Sequence, residues 1–232
     1  MLIEIFMSIK QKQVLLFDLD GTLVDSAPDI ALAVNSTLKD LNKPAFDENT
    51  IRQWVGNGAK ALIERALSGS TNINKELDRT VVEDTLAIFL RHYQQCICVN
   101  SVLYYGVKEG LLTLKKAGFR LGIITNKPEK LIQPILSGLG IGDMFEILIG
   151  GDTLPEKKPN PAPLLLALKQ LDVTADQCLM IGDSKNDILA AKAANIDSVG
   201  FTYGYNYGED IAQYNPQWCF NTFPEFTSAA FD

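Results

Sequence analysis

Val14-Leu-Leu-Phe-Asp18-Leu-Asp20-Gly21-Thr22-Leu-Val-Asp25-Ser26 is the stretch whose reading decides the fold. Its opening apolar run is too short for a helix and stops abruptly at a carboxylate, as a buried parallel strand does. Such a strand delivers Asp18 to its carboxyl end, the edge at which open α/β sheets keep their chemistry. Asp20 follows in the turn, where Gly21 permits a tight bend and Thr22 adds a hydroxyl. One Asp here would read as an Asx turn; a pair of carboxylates directly after a buried run points to a site.

Further along, the same design recurs. Leu121-Gly-Ile-Ile-Thr125-Asn126 and Cys178-Leu-Met-Ile181-Gly-Asp183 are apolar runs that end in polar groups. Phe145-Glu-Ile-Leu-Ile149 and residues 198–201 read as additional strands. Helices are expected over residues 107–117, from Pro128 through Leu131, Ile135 and Leu136, through Leu164, Leu168 and Leu171, and from Asp187 through Ile188, Leu189 and Ala191. Strands alternating with helices imply an α/β fold with a doubly wound, mainly parallel, Rossmann-like sheet. Residues 26–98 carry no strand pattern. Helical spacing there links Ile30, Val34, Leu38 and Leu41, then Asp47 through Ile51 and Trp54, then residues 59–67, then Leu77, Val81, Leu86, Leu90 and Tyr93. The expected division is a core of residues 1–25 and 99–232 with an inserted all-helical cap of residues 26–98.

A chain of 232 residues with 47% hydrophobic content can bury a sizeable core. A net charge of -7, with no long basic run, argues against nucleic acid or an anionic membrane as principal partner. No stretch approaches the ~18 apolar residues that a membrane span needs. The apolar start, Met1 to Phe6, is interrupted by Glu4 and lacks a basic flank, so it reads poorly as a signal peptide, and Met7 is an alternative start. Cysteines at 96, 98, 178 and 219 form neither a C-x-x-C pair nor zinc spacing, and are expected to be buried reduced thiols of a cytoplasmic protein. Monomer and homodimer are both compatible with the sequence.

Taken together, Asp18-Leu-Asp20-Gly-Thr22, Thr125, Lys158 before Pro159, and Gly182-Asp183-Ser184-Lys-Asn-Asp187 resemble the four signature motifs of the haloacid dehalogenase superfamily, in order and spacing. The resemblance covers residues 14–220 and implies phosphoryl transfer with Mg²⁺ as cofactor. Phosphoryl transfer needs an in-line nucleophile, neutralisation of the phosphate oxygens and a proton for the leaving oxygen. Asp18 is the expected nucleophile, forming an aspartyl-phosphate. Mg²⁺ would be held by Asp18, the backbone carbonyl of Asp20 and Asp183, with Asp187 supporting that set. Asp20 is the expected acid and base. Thr125, Asn126 and Thr22 are expected to meet phosphate oxygens, and Lys158 to supply charge to the phosphate and to Asp18. Lys157 is expected in solvent. The single histidine, His92, reads as a surface residue.

Residues 26–98 resemble the C1-type cap of that superfamily. Trp54-Val-Gly56-Asn57-Gly58-Ala, Gly150-Gly151-Asp152, Lys157-Lys-Pro-Asn-Pro-Ala162-Pro and Thr202-Tyr-Gly-Tyr-Asn-Tyr-Gly208-Glu are similar to bacterial phosphoglycolate phosphatases, with departures at Tyr105, usually Pro, and Asn160, usually Asp. The implied partner is a small phosphorylated metabolite. Gly56, Asn57 and Gly58 would offer backbone donors to a substrate carboxylate, and Arg52, Lys60 or Arg65 a charge. The open rivals are other enzymes of this scaffold, namely a phosphomutase, pyrophosphatase or nucleotidase, and a phosphate-binding module without turnover. A dehalogenase has no use for Asp20, and the surroundings of Lys60 do not favour the Schiff-base lysine of a phosphonate hydrolase.

Overall fold

The structure is a computed structural model that describes residues 8–231, so the possible starts at Met1 and Met7 lie outside the described residues. Strand β1 (Val14–Phe17) is buried over its whole length, and the helical segment follows almost at once: α1 (Ala27–Asp40), α2 (Glu48–Arg52), α3 (Ala59–Ser68) and α4 (Arg79–Gln95). The short strands β2 (Val24–Asp25) and β3 (Val102–Leu103) pair antiparallel where the chain leaves for those helices and returns from them. The same crossing is tied by Asp29. Its buried carboxylate accepts from the N–H and side chain of both Asn100 and Ser101.

Thereafter come α5 (Val107–Lys116), β4 (Arg120–Ile124), α6 (Glu129–Gly138), β5 (Ile147–Ile149), α7 (Ala162–Leu171), β6 (Cys178–Gly182), α8 (Lys185–Ala193), β7 (Asp197–Phe201), β8 (Trp218–Phe220) and α9 (Phe223–Ala229). The sheet runs β5-β4-β1-β6-β7-β8 with every pairing parallel. Because successive side chains of a strand point to opposite faces, Leu15 and Phe17 join Leu111, Leu114, Phe223 and Phe226 on one side. Val14 and Leu16 join Leu164, Ala167, Ala190 and Ala191 on the other. A strand buried on both faces has to be uniformly apolar, and β1 is.

Several boundaries differ from the sequence reading. Asp78 caps the N-terminus of α4, accepting from the N–H groups of Thr80 and Val81, so Leu77 lies outside the helix. The buried stripe of α4 is Val82, Thr85, Phe89 and Tyr93, while Val81 is 48% exposed. The α8 helix opens at Ser184, not Asp187. The Asp187 carboxylate bonds back to the Ser184 N–H and hydroxyl at 3.0 and 2.9 Å, a capping box. Strand β8, helix α9 and the β2–β3 ladder carry no pattern that the sequence reading recognised. All four cysteines are free, but only Cys96 and Cys178 are buried, and Cys219 is exposed because β8 is the sheet's outer strand. Among the described residues no helix is long and apolar enough to cross a membrane.

Candidate active site

Three adjacent parallel strands, β4, β1 and β6, end side by side and place Thr125, Asp18 and Asp183 at one edge. Asp18 continues the ladder by donating its N–H to the Ile181 carbonyl at 2.9 Å, which fixes where its side chain starts. Gly21 makes the following turn possible: its φ is +90°, and a Cβ there would lie 2.4 Å from Asp183 Oδ2. The turn is thus packed directly on the next strand's carboxylate.

Asp18, Asp183 and Asp187 present carboxylate oxygens within 4.8 Å of one another, all buried. Lys158 threads between two of them, with Nζ 3.1 Å from Asp18 Oδ1 and 2.6 Å from Asp187 Oδ1, and donates to the Ile124 carbonyl at 2.5 Å. Burial works against the Lys158 charge, but the flanking carboxylates more than offset it and hold the ammonium above its usual range. Burial lifts Asp18 to about 6 against the pull of Lys158, with Asp187 adding repulsion. Burial, then Asp187 and Asp18, raise Asp183 well above the usual carboxylate range. Three buried carboxylates against one buried ammonium leave an excess of negative charge on hard oxygen donors, and a divalent cation fits that deficit.

The expected site residues divide when placed in space. Asp18, Asp183, Asp187, Lys158 and Thr125 converge as expected. Both oxygens of Asp187 are spent, one on Lys158 and one on Ser184, so it supports the cluster. The Asp20 carboxylate lies apart from the cluster: Ser26 Oγ donates to Oδ1 at 2.6 Å, and Lys127 Nζ is 2.9 Å from each oxygen. This leaves only the backbone carbonyl of Asp20 for the expected metal contact.

One expected substrate contact, Thr22, needs correction, and the side chains of Asn126 and Asn57 are engaged within the protein. Thr22 is wholly buried and its hydroxyl donates to Asp183 Oδ1 at 2.6 Å, so it positions that carboxylate. Asn126 Nδ2 is spent on the carbonyls of Gly56 and Lys158, both at 2.9 Å; it bridges the helical segment to the Lys158 loop. Asn57 Oδ1 accepts from Arg65 and from the Tyr207 hydroxyl, so its side chain is spent as well. Gly56, at φ +119°, presses its α-carbon against Tyr207, where a Cβ would meet the hydroxyl at 2.4 Å, and its carbonyl accepts from Asn126 and Asn186. Gly56 and Gly58 both line the expected cavity, Gly58 as the N-cap of α3 with no side-chain cap.

The cations proposed for the cap fare similarly. Arg52 forks onto Asp25 at 2.7 and 3.2 Å and reaches Glu48. Arg65 donates to the Trp54 and Thr71 carbonyls and to Asn57. Lys60 is exposed and faces a different groove. Lys157 is half-buried rather than solvated. His92 pairs with Asp40 away from the site. The two family departures touch no reacting group: Tyr105 is 84% exposed, and Asn160 Oδ1 accepts from the Ala162 N–H, as an Asp would.

Sequence reasoning missed Lys127, Tyr93, Tyr205 and Ser26. Tyr205 explains the aromatic loop. Its N–H donates to Asp183 Oδ2 at 2.6 Å, its hydroxyl to Asp25 at 2.5 Å, and that hydroxyl accepts from the N–H groups of Ser26 and Ala27. The loop thus joins the carboxylate cluster to the chain crossing. A cavity of about 40 Å³ lies between this edge and the helical segment. Asp18, Asp20, Thr125, Asn126 and Lys127 line it below, and Val55, Gly58, Leu62, Phe89 and Tyr93 line it above.

Residues 15–201 match the haloacid dehalogenase-like hydrolase family. A phosphoglycolate phosphatase of Colwellia psychrerythraea is 74% identical over 219 residues, covering 94% of this chain and 97% of its own length. A phosphoglycolate phosphatase of Psychrobacter arcticus is 47% identical, covering 91% and 93%. Among solved structures, a predicted phosphoglycolate phosphatase from Haemophilus somnus superposes with a TM-score of 0.87 at 42% identity, covering 94% of this chain and 97% of its own.

Proposed function

The chain belongs to the haloacid dehalogenase-like hydrolase family and is a phosphatase, and we propose that it hydrolyses 2-phosphoglycolate to glycolate and phosphate with Mg²⁺ as cofactor, acting in the cytoplasm on this small metabolite. The buried cluster of Asp18, Lys158, Asp183 and Asp187 beside a separately held Asp20 carries the chemical reading. The 74% identity to a phosphoglycolate phosphatase supports the substrate.

Asp18 is the nucleophile. Its N–H ladder contact fixes the backbone, and the Leu19 N–H at 2.8 Å and Lys158 hold carboxylate oxygen Oδ1, leaving the other oxygen to attack phosphorus in line. Thr125 Oγ1 accepts the Lys127 N–H, and its hydroxyl lies beside the Asp18 carboxylate, where it would meet a phosphate oxygen. The three Lys158 donors are spent on Ile124, Asp18 and Asp187, so its contribution to the phosphate is charge. Mg²⁺, held by Asp18, Asp183 and the Asp20 carbonyl, would neutralise charge on the transferring group. Asp20 gives a proton to the departing glycolate oxygen and then takes one from the water that attacks the aspartyl-phosphate.

Residues 26–98 act as a mobile cap over residues 1–25 and 99–232. The helical segment roofs the cavity, and its lifting and closing would admit the ester and then exclude water from the reacting groups. Once closed, the uncapped N-terminus of α3 at Gly58 faces the bound anion.

Phosphate release from phosphoglycolate, p-nitrophenyl phosphate, β-glucose 1-phosphate, pyrophosphate and nucleoside monophosphates, with Mg²⁺ and with EDTA, tests the proposal. A kcat/KM for phosphoglycolate well above the rest, and lost in EDTA, is the expected result. A different preferred ester would remove the substrate while leaving the chemistry.

A further inference from the structure

Lys127 has no task in the scheme above, yet it is one of the most constrained cations in the molecule. It is 5% exposed; Nζ bonds both oxygens of Asp20 at 2.9 Å and the Tyr93 hydroxyl at 2.7 Å, and lies 4.6 Å from the centre of the Tyr93 ring. Among the described residues lining the cavity it is the single cation. Its partners belong to opposite walls, Asp20 to the sheet edge and Tyr93 to α4.

Among the described residues no other cation lines the cavity. Arg52 and Arg65 are tied to Asp25, Glu48 and backbone carbonyls, Lys60 faces a separate groove, and Lys158 has no donor to spare. Lys157 is half-buried near Gly58 but does not line the cavity. Apart from Tyr93 and the α3 N-terminus at Gly58, the upper wall is apolar, through Ile30, Val55, Leu62 and Phe89.

We propose that Lys127 is the specificity-determining residue of this site: on substrate binding its ammonium passes from Asp20 to a carboxylate one methylene away from the ester oxygen, with the Tyr93 hydroxyl donating to the same carboxylate. The inference rests on the phosphatase reading and names the residue that reads the acid group. Asp20 must reach the ester oxygen, but Lys127 engages both of its oxygens. A carboxylate so close to that oxygen arrives within reach of the same ammonium. The exchange keeps a buried cation paired throughout while freeing Asp20 for the leaving group. A substrate without the carboxylate has to draw Lys127 off Asp20 and leave it unpaired, and a site with a stranded polar group discriminates strongly against such an analogue.

The test compares kcat/KM for phosphoglycolate and for ethyl phosphate, the same ester with methyl in place of carboxylate. It uses wild type, Lys127→Met, Lys127→Arg and, as a neighbouring cation outside the cavity, Lys157→Met. Lys127→Met is expected to slow both substrates, because Asp20 loses its partner, but to lower the phosphoglycolate-to-ethyl-phosphate ratio by about 100-fold. Lys127→Arg should restore part of the ratio, and Lys157→Met should leave it within about threefold of wild type. A parallel loss on both substrates, or no loss, overturns the inference, since a residue that only positions Asp20 would affect both esters alike. If Lys127→Met does not fold, Tyr93→Phe carries the test, with a several-fold lower ratio expected and an unchanged ratio overturning it. The wild-type ratio separately tests the substrate reading: a wild type without preference for phosphoglycolate removes that reading, whereas a preference that survives in Lys127→Met removes only the role of Lys127.

Discussion

Replacing Asp18 by Asn removes one of three crowded carboxylates at nearly constant shape, and its effect on stability has a sign and size that follow from the cluster. Burial foremost, with Asp187 adding to it and Lys158 opposing it, lifts Asp18 from 3.8 to about 6. An acid with a higher pKa folded than unfolded contributes stability that is fully present below the unfolded value and lost as pH rises through the folded value. The window therefore runs from 3.8 to about 6. At 1.36 kcal/mol per unit, a shift of roughly two units costs the metal-free protein about 3 kcal/mol across the window, about 2 kcal/mol of it between about pH 4.5 and pH 8. Asp18→Asn has no such titration, and the partner Lys158 loses is lost at both pH values. Urea unfolding of both proteins in EDTA at those two pH values should show wild type losing about 2 kcal/mol more than the variant as pH rises. Equal pH dependence, or a steeper fall in Asp18→Asn, would refute the reasoning. Turnover by the variant should be absent at either pH.

The correction at Thr22 is testable through the metal. Thr22→Val removes the donor to Asp183, so the Mg²⁺ concentration for half-maximal activity should rise about tenfold while KM for phosphoglycolate at saturating Mg²⁺ stays within about twofold; a metal titration with substrate kinetics at each end checks both. Lys60→Ala should leave KM unchanged, whereas Arg65→Ala, which strands the Trp54 carbonyl, should lower stability by about 1–3 kcal/mol in urea unfolding.

Most of the sheet and the charged heart of the site were legible in the sequence because local pattern governs them. Buried parallel strands must be uniformly apolar, and Asp18, Thr125 and Asp183 follow such runs directly. Lys158 could be placed by its motif. Lys127 could not: beside Pro128 at the start of a helix it looks like any solvated lysine, and its burial depends on Tyr93, 34 positions away. Arg52 and Arg65 misled for the converse reason, since a cation on a helix shows nothing of the carboxylate or carbonyl that occupies it. Thr22 has the polarity of a ligand contact, but its hydroxyl was claimed by Asp183, 161 positions on. The buried stripe of α4, Val82, Thr85, Phe89 and Tyr93, is set by the face that packs on α1 and α3, while the cap at Asp78 sets only where the helix begins. Pairings across long sequence separations are written in no local spacing.

The most direct test of the central claim is to catch the phosphoryl group on the protein. Asp20→Asn, which keeps the nucleophile but impairs attack by water, would be mixed with phosphoglycolate and Mg²⁺, quenched in acid within a single turnover, digested and mapped by mass spectrometry. The expected result is one phosphoryl group on the peptide that begins near Val14, located at Asp18, and absent when EDTA is present or Asp18 is also replaced by Asn. Burst release of glycolate with no phosphopeptide, or a phosphoryl group on any other residue, would contradict nucleophilic catalysis by Asp18.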